Sequence, residues 1–225
     1  MICHQNRLIF LHLPKCGGTS IEVALTGRPW HQNGLRQHQH LTAVETRELY
    51  GAEIFRSYFK FAIVRNIWDL LVSHYLWGCS GLRGRGVSWF RWGWEWGHPF
   101  DSARRRWVRR PTFAEYLADI PGFNRRLHFS HTGQDLTRQL DAISIDGQIA
   151  MDYVGRFEDL PDEFRKICQL ARASPPELPH HLKSRRTRHY SDYYAPELRD
   201  LVAERYRRDI EAFGFTFERQ KTPSA

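Results

Sequence analysis

Residues 8–25 read LIFLHLPKCGGTSIEVAL. Leu8 to Leu13 is a short, mostly apolar run that stops at Pro14, the pattern of a buried strand. Thr19 to Leu25 continues as a helix, with Gly27 placed to end it. A strand that turns over two glycines into a helix leaves several backbone N–H groups unpaired and pointing the same way. The helix dipole adds partial positive charge at that end, Lys15 adds a full charge, and Thr19 and Ser20 add hydroxyls. The stretch therefore predicts an anion site at a strand–helix junction, although an ordinary turn with a solvated lysine would use the same residue types.

The unit recurs. Tyr58 to Val64 (YFKFAIV) reads as a second buried strand feeding a helix over Ile67 to Trp77, where Leu70, Leu71, Tyr75 and Leu76 share one face. Strand, loop and helix, twice over, predict an α/β fold of the P-loop type, three layers with a central parallel sheet flanked by helices. Residues 30–41 are polar and histidine-rich and read as loop, followed by a helix over Ala43 to Tyr50. Helical patterning resumes over Thr112 to Ile120 and Asp159 to Ala173, with a strand at Asp152 to Phe157. One last helix is expected from Pro196 to Gly214, with Leu198, Val202, Tyr206 and Ile210 stepping along one face. With 225 residues and 41% hydrophobic content, the chain is read as a single domain over 1–225, carrying an irregular excursion at about 78–110. That excursion holds five of the eight tryptophans.

Thirty-three Lys and Arg oppose 25 Asp and Glu, a formal charge of +8, which calls for an anionic partner without choosing among nucleotide, glycan and nucleic acid. The excess is local, in Arg104 to Arg110 and Lys183 to Arg188. Cys3, Cys16, Cys79 and Cys168 show no C-x-x-C spacing and read as free thiols in a reducing compartment. No stretch has the length of a membrane span or the pattern of a targeting segment, so a cytoplasmic protein without a membrane span is expected.

The G-x-x-x-x-G-K-[ST] spacing of nucleotide hydrolases is absent, because Lys15 precedes the glycines. In that order PKCGGTS after LIFLHL resembles the 5′-phosphosulfate loop of sulfotransferases that use 3′-phosphoadenosine 5′-phosphosulfate (PAPS). The family carries a second element, a strand ending in arginine followed by a helix bearing serine. Residues 61–75 (FAIVRNIWDLLVSHY) resemble it, with Arg65 at the strand end and Ser73 eight residues on. Residues 153–160 (YVGRFEDL) and 190–214 are similar to later segments of the branch that contains glycan 2-O-sulfotransferases and bacterial relatives. The resemblance covers most of the chain except the tryptophan-rich excursion.

The resemblance implies a role for each matching position. Lys15 is expected at the bridging oxygen of the phosphosulfate, and the backbone of Cys16, Gly17, Gly18, Thr19 and Ser20 at the 5′-phosphate. Arg65 and Ser73 are expected at the 3′-phosphate, with Ser184 and Arg188 as further nucleotide contacts among the equally charged Lys183, Arg185 and Arg186. The chain departs from the family pattern at Ile67, where proline is usual, and at Cys16, where threonine is frequent. The branch places a histidine base about two dozen residues before the arginine. His40 stands 25 before Arg65 and is the expected base, with Glu45 or Glu48 as the alternative.

No metal is expected, because Lys15, Arg65 and the helix N-terminus already neutralise the donor. The expected acceptor is a hydroxyl on a glycan or glycolipid, with Trp89, Trp92, Trp94 and Trp96 available to stack on sugar rings. Two other classes use some of these features. A P-loop kinase is disfavoured by the missing G-K-[ST] and by the Arg65/Ser73 pair. A nucleic-acid-binding protein would bind single strands in a salt-dependent way that survives loss of Lys15, and no nucleic-acid partner is expected.

Overall fold

The computed structural model describes residues 1–28, 39–80, 100–101, 106–107, 112–120, 129–173, 178–179 and 186–218. The tryptophan-rich excursion therefore lies almost wholly outside the described residues. Strands β1 (Ile2–Cys3), β2 (Leu8–Leu11), β3 (Phe59–Val64) and β8 (Tyr153–Arg156) form the central sheet in the order β1-β2-β3-β8. Between β3 and β8 lie a ribbon of β4 (Phe100–Asp101) with β5 (Arg106–Trp107) and a hairpin of β6 (Ser144–Ile145) with β7 (Gln148–Ile149). The helices are α1 (Gly18–Thr26), α2 (Ala43–Tyr50), α3 (Ala52–Ser57), α4 (Ile67–Ser80), α5 (Phe113–Ala118), α6 (Gln139–Ala142), α7 (Leu160–Leu170), α8 (Pro196–Arg205) and α9 (Arg207–Phe213).

β2, β3 and β8 run parallel, while β1 adds one antiparallel edge strand that the sequence pattern does not announce. All four β2 residues are buried, and so are the last five of β3, as expected of strands covered on both faces. Phe10 sits opposite Phe61 in register, with their rings stacked at 4.9 Å. Lys60 is the exception in β3, buried but satisfied by Asp152, whose Oδ2 lies 2.7 Å from its Nζ. The three parallel strands end on the same side, so the segments after Leu11, Val64 and Arg156 share one edge of the sheet, where open α/β sheets place their ligands. Among the described residues no helix is long and apolar enough to cross a membrane.

Gly27 ends α1 in the left-handed conformation, and its N–H reaches the Val23 carbonyl at 2.8 Å, as a C-cap should. Ile67, where the family favours proline, opens α4 with its side chain fully buried. Asn66 caps that helix instead, its Oδ1 accepting from the Trp68 N–H at 3.2 Å. The β6–β7 hairpin turns on Asp146-Gly147, both at positive φ, the Asp-Gly signal of a two-residue turn.

The single last helix expected from Pro196 to Gly214 is instead two helices, broken at Tyr206 (φ −115, ψ 24). Tyr206 is buried and shares a 2.8 Å hydrogen bond with the Thr137 hydroxyl. Beyond the break Asp209 turns inward in place of Ile210, and its Oδ1 accepts from the Leu140 N–H at 2.9 Å. The swivel lets α9 cap α6, which a straight amphipathic helix would not reach.

Burial pushes the Asp209 carboxyl up to about 6, against the pull of the Leu140 N–H. The folded protein then holds a proton that the unfolded chain has released, so this contribution to stability is full below about pH 4 and is lost as pH rises through about 6. Asp209→Asn, which keeps an acceptor for Leu140, is expected to flatten that part of the slope when unfolding free energy is measured in urea between pH 4 and 7. An unchanged slope would show that Asp209 ionises freely in the fold.

Candidate active site

The loop from His12 to Gly17 joins β2 to α1. Its backbone bends twice into the left-handed region, at Lys15 (φ 62) and Gly17 (φ 78), making the concave run of amides that suits an anion. Ser20 donates its N–H back to the Gly17 carbonyl at 3.0 Å, while the amides of Gly18 and Thr19 precede any intrahelical acceptor. The two glycines are also steric requirements. A Cβ on Gly17 would lie 2.6 Å from Leu160 Cδ2, and one on Gly18 would lie 2.0 Å from the ring atoms of His12.

Cys16 offers the loop its backbone only. Its side chain is buried, with Sγ directed at the Pro14 carbonyl (3.4 Å) and at Gln139 Oε1 (3.7 Å), and burial pushes the thiol up to about 12. A side chain turned to Pro14 and Gln139 is turned away from the loop amides, so position 16 offers the anion site only its backbone. Lys15 is half-buried, and its ammonium rests over the Trp77 ring at 3.9 Å. Burial, and then the neighbouring Arg65 charge, bring it down to about 8.

Fifty residues separate Lys15 from Arg65 in sequence, and the structure joins them. Arg65 Nη1 donates to the Lys15 carbonyl at 2.7 Å and to Ser73 Oγ at 3.2 Å. Ser73 accepts that bond, which leaves its own hydroxyl proton to point elsewhere. On its other edge Arg65 pairs with Asp69 Oδ2 through Nε (2.8 Å) and Nη2 (2.7 Å), and its guanidinium lies 4.0 Å over the Phe157 ring. Asp69 also binds Arg186. Burial alone would raise the Asp69 carboxyl, but the Arg65 and Arg186 charges win and hold it low. Two guanidinium groups thus converge on one carboxylate, one turn of α4 from Ser73.

Of the basic loop, Ser184 lies outside the described residues, and Arg188 is described and exposed. Among the described residues of that loop, Arg186 reaches the Arg65 cluster through Asp69. Gln139, on α6, had no sequence signal at all. Its Oε1 accepts from the Arg65 N–H and its Nε2 donates to the Arg65 carbonyl, both at 2.8 Å, so one side chain replaces a strand's worth of pairing at the end of β3.

His40 lies on the flank of the donor loop, at positive φ (54) and half-buried, its ring edge-to-face with His12 at 5.1 Å. Burial, reinforced by the charges of His12, His131 and Lys15, holds it well below the usual imidazole value, so it is neutral at pH 7. Glu45 is engaged otherwise. Its carboxylate closes a capping box with Thr42 (2.7 Å to the backbone N–H) and accepts from the Thr132 N–H at 2.7 Å. Burial would raise it, but these backbone bonds keep it low, which makes it a poor proton acceptor. Glu48 is exposed on α2. His31, His38 and the tryptophans at 89, 92, 94 and 96 lie outside the described residues.

A family model described as "Sulfotransferase family" matches residues 1–216. No curated protein and no solved structure matches the chain.

The glycines at the two ends of α1 make a stability prediction. The His12 ring that a Gly18 Cβ would strike is buried, stacked on Phe10 and bonded to Glu22, so it cannot swing away cheaply. Gly27, unlike Gly18, has left-handed backbone, but a Cβ there would meet nothing within 4 Å among the described residues. Gly18→Ala is expected to cost roughly 2–4 kcal/mol, and Gly27→Ala only about 1 kcal/mol. Denaturant unfolding of the two variants checks the order.

Proposed function

The chain belongs to the sulfotransferase family, and from that premise we propose that it transfers a sulfuryl group from PAPS to a hydroxyl of a carbohydrate acceptor, with His40 as base. One observation carries the choice of donor: the Arg65 guanidinium reaches from the Lys15 carbonyl to Ser73 Oγ. A phosphosulfate needs the loop, whereas a 3′-phosphate needs a second cationic pocket at fixed distance from it. The reading is supported by the Arg65–Ser73–Arg186 cluster, which gathers two guanidinium groups and a hydroxyl beside the loop in a way that a plain ATP site would not call for.

In this reading the acceptor oxygen attacks sulfur in line with the departing phosphate, forming one O–S bond as the other breaks. His40 takes the acceptor proton, for which a neutral imidazole is the competent form. Lys15 and the amides of Gly18 and Thr19 meet the charge that collects on the leaving phosphate, in a setting already organised for it. The carbohydrate choice is supported by the resemblance to the glycan branch and by the aromatic residues between α4 and α5.

The pH dependence follows from two opposed shifts. His40 must be neutral, so activity is expected to persist below pH 6.5 before an acid limb appears. Lys15 must be charged, so donor affinity is expected to fall as pH rises through about 8. A rate profile with its acid limb above 6.5 would remove His40 from the role.

Calorimetry tests the donor. Micromolar binding of adenosine 3′,5′-bisphosphate and none of ATP is expected, with Arg65→Ala weakening the former roughly a hundredfold while the fold persists. ATP binding with no preference for the bisphosphate would instead favour a kinase. For the base, His40→Ala is expected to lower turnover about a hundredfold while donor binding is kept.

A further inference from the structure

Glu22 lies on α1, the helix that begins at the donor loop, and is almost fully buried. Its carboxylate faces two elements at once. Oε1 is 2.9 Å from His12 Nδ1, and both oxygens are 3.4 Å from the Gln39 side-chain nitrogen. Burial alone would raise its carboxyl, but the bonds from His12 and Gln39 hold it below the ordinary value. An anionic Glu22 can only accept, which fixes its partners: His12 donates from Nδ1, and Gln39 donates from its amide.

Both partners touch the base. His12 stands against Gly18 on one side and edge-to-face with His40 on another. Gln39 is buried and immediately precedes His40, whose positive φ is unfavourable for any residue with a Cβ and persists only where neighbours hold it. Nothing in the Glu22–His12–Gln39 group has been given a task by the reaction as derived above, yet it joins the donor-loop helix to the turn carrying His40 through hydrogen bonds.

We propose that Glu22 is the positioning residue of the base: by accepting from His12 and Gln39 together, it locks the end of β2, helix α1 and the 39–40 turn into one unit and so sets His40 against the donor loop. The inference rests on the reading of His40 as base. The charged and titratable groups facing His40 are His12 after β2, Lys15 in the donor loop and His131 from the segment before α6, with the Glu22 carboxylate behind His12. Among the described residues, the groups acting on the ring directly are cationic or able to become so. A tie that stops the turn from relaxing outward therefore keeps the imidazole neutral, and losing the tie lets it hydrate and regain a proton.

The test uses the full chain and four variants: Glu22→Gln, Gln39→Ala, His12→Asn and His40→Ala. His40→Ala identifies the His40 signal in imidazole nitrogen NMR spectra. Gln39→Ala removes the tie without changing charge, and His12→Asn keeps a donor for Glu22 but removes the ring beside His40. In Gln39→Ala and Glu22→Gln, His40 is expected to titrate closer to 6.5 than in the parent protein. Affinity for adenosine 3′,5′-bisphosphate should stay within about twofold, and release of labelled sulfate from PAPS to water should fall roughly 10–100-fold. An unmoved His40 titration in both variants overturns the proposal, as does a loss of bisphosphate affinity equal to the loss of rate, which would mark Glu22 as support for the loop alone. The two readings fail separately. If His40→Ala releases sulfate at the parental rate, the base is elsewhere, whereas the NMR titration reports the positioning of His40 whether or not it is the base.

Discussion

A guanidinium taken out of water must be paired or the fold does not tolerate it, and Arg65 is such a group, with 6% of its surface exposed. Its pairing orders everything around it. Asp69, one turn along α4, takes two of its N–H groups and recruits Arg186 from a segment more than a hundred residues on. The Lys15 carbonyl takes a third, tying the donor loop to the end of β3. Phe157, just past β8, closes the remaining face. Three parallel strands thus bring their C-terminal ends together around one charge.

What was legible in the sequence follows from how far each cause reaches. The strand–Gly-Gly–helix unit and its Arg65/Ser73 companion are local patterns, so periodicity and a family resemblance placed both on their elements. The antiparallel strand β1 has only two residues, too short for a pattern to register. The break at Tyr206 depends on Thr137, and the role of Gln139 depends on Arg65, partners 69 and 74 positions away. A glutamine in a helix of four residues carries no mark of the two backbone hydrogen bonds it completes. Likewise Lys183, Arg185 and Arg186 look alike in sequence, and the partner of Arg186, Asp69, lies 117 positions away.

The choice of base shows a signal that was present and unused. Thr42-Ala43-Val44-Glu45 is a capping box in sequence, T-x-x-E at the head of a helix, and such a glutamate is committed to the N-cap amide. That pattern alone argues against Glu45 as a proton acceptor, and the structure agrees, with a second amide from Thr132 on the same carboxylate. His40 differs in kind. It sits just outside the helix, on strained backbone, with no capping duty. Strain of that sort is kept where the surroundings impose it, and Glu22, His12 and Gln39 are those surroundings.

The position of Lys15 raises a last physical question: why its ammonium rests on the Trp77 ring. Asp69, the carboxylate that pairs with the neighbouring Arg65, is already divided between Arg65 and Arg186. A carboxylate partner inside a partly buried site would also hold the lysine strongly and compete with any anionic donor. An aromatic face stabilises the cation by only about 1–2 kcal/mol, with no net negative charge to be displaced. The ring therefore keeps the ammonium placed while leaving its charge available to an anion. Trp77 lies near the end of α4, where the chain leaves the core for its tryptophan-rich stretch, so the group that holds the lysine at rest belongs to the same helix as Ser73 and Asp69. One helix thereby carries Asp69 and Ser73, which hold Arg65, and Trp77, on which Lys15 rests, and the separation between them is fixed by helical rise rather than by any flexible loop.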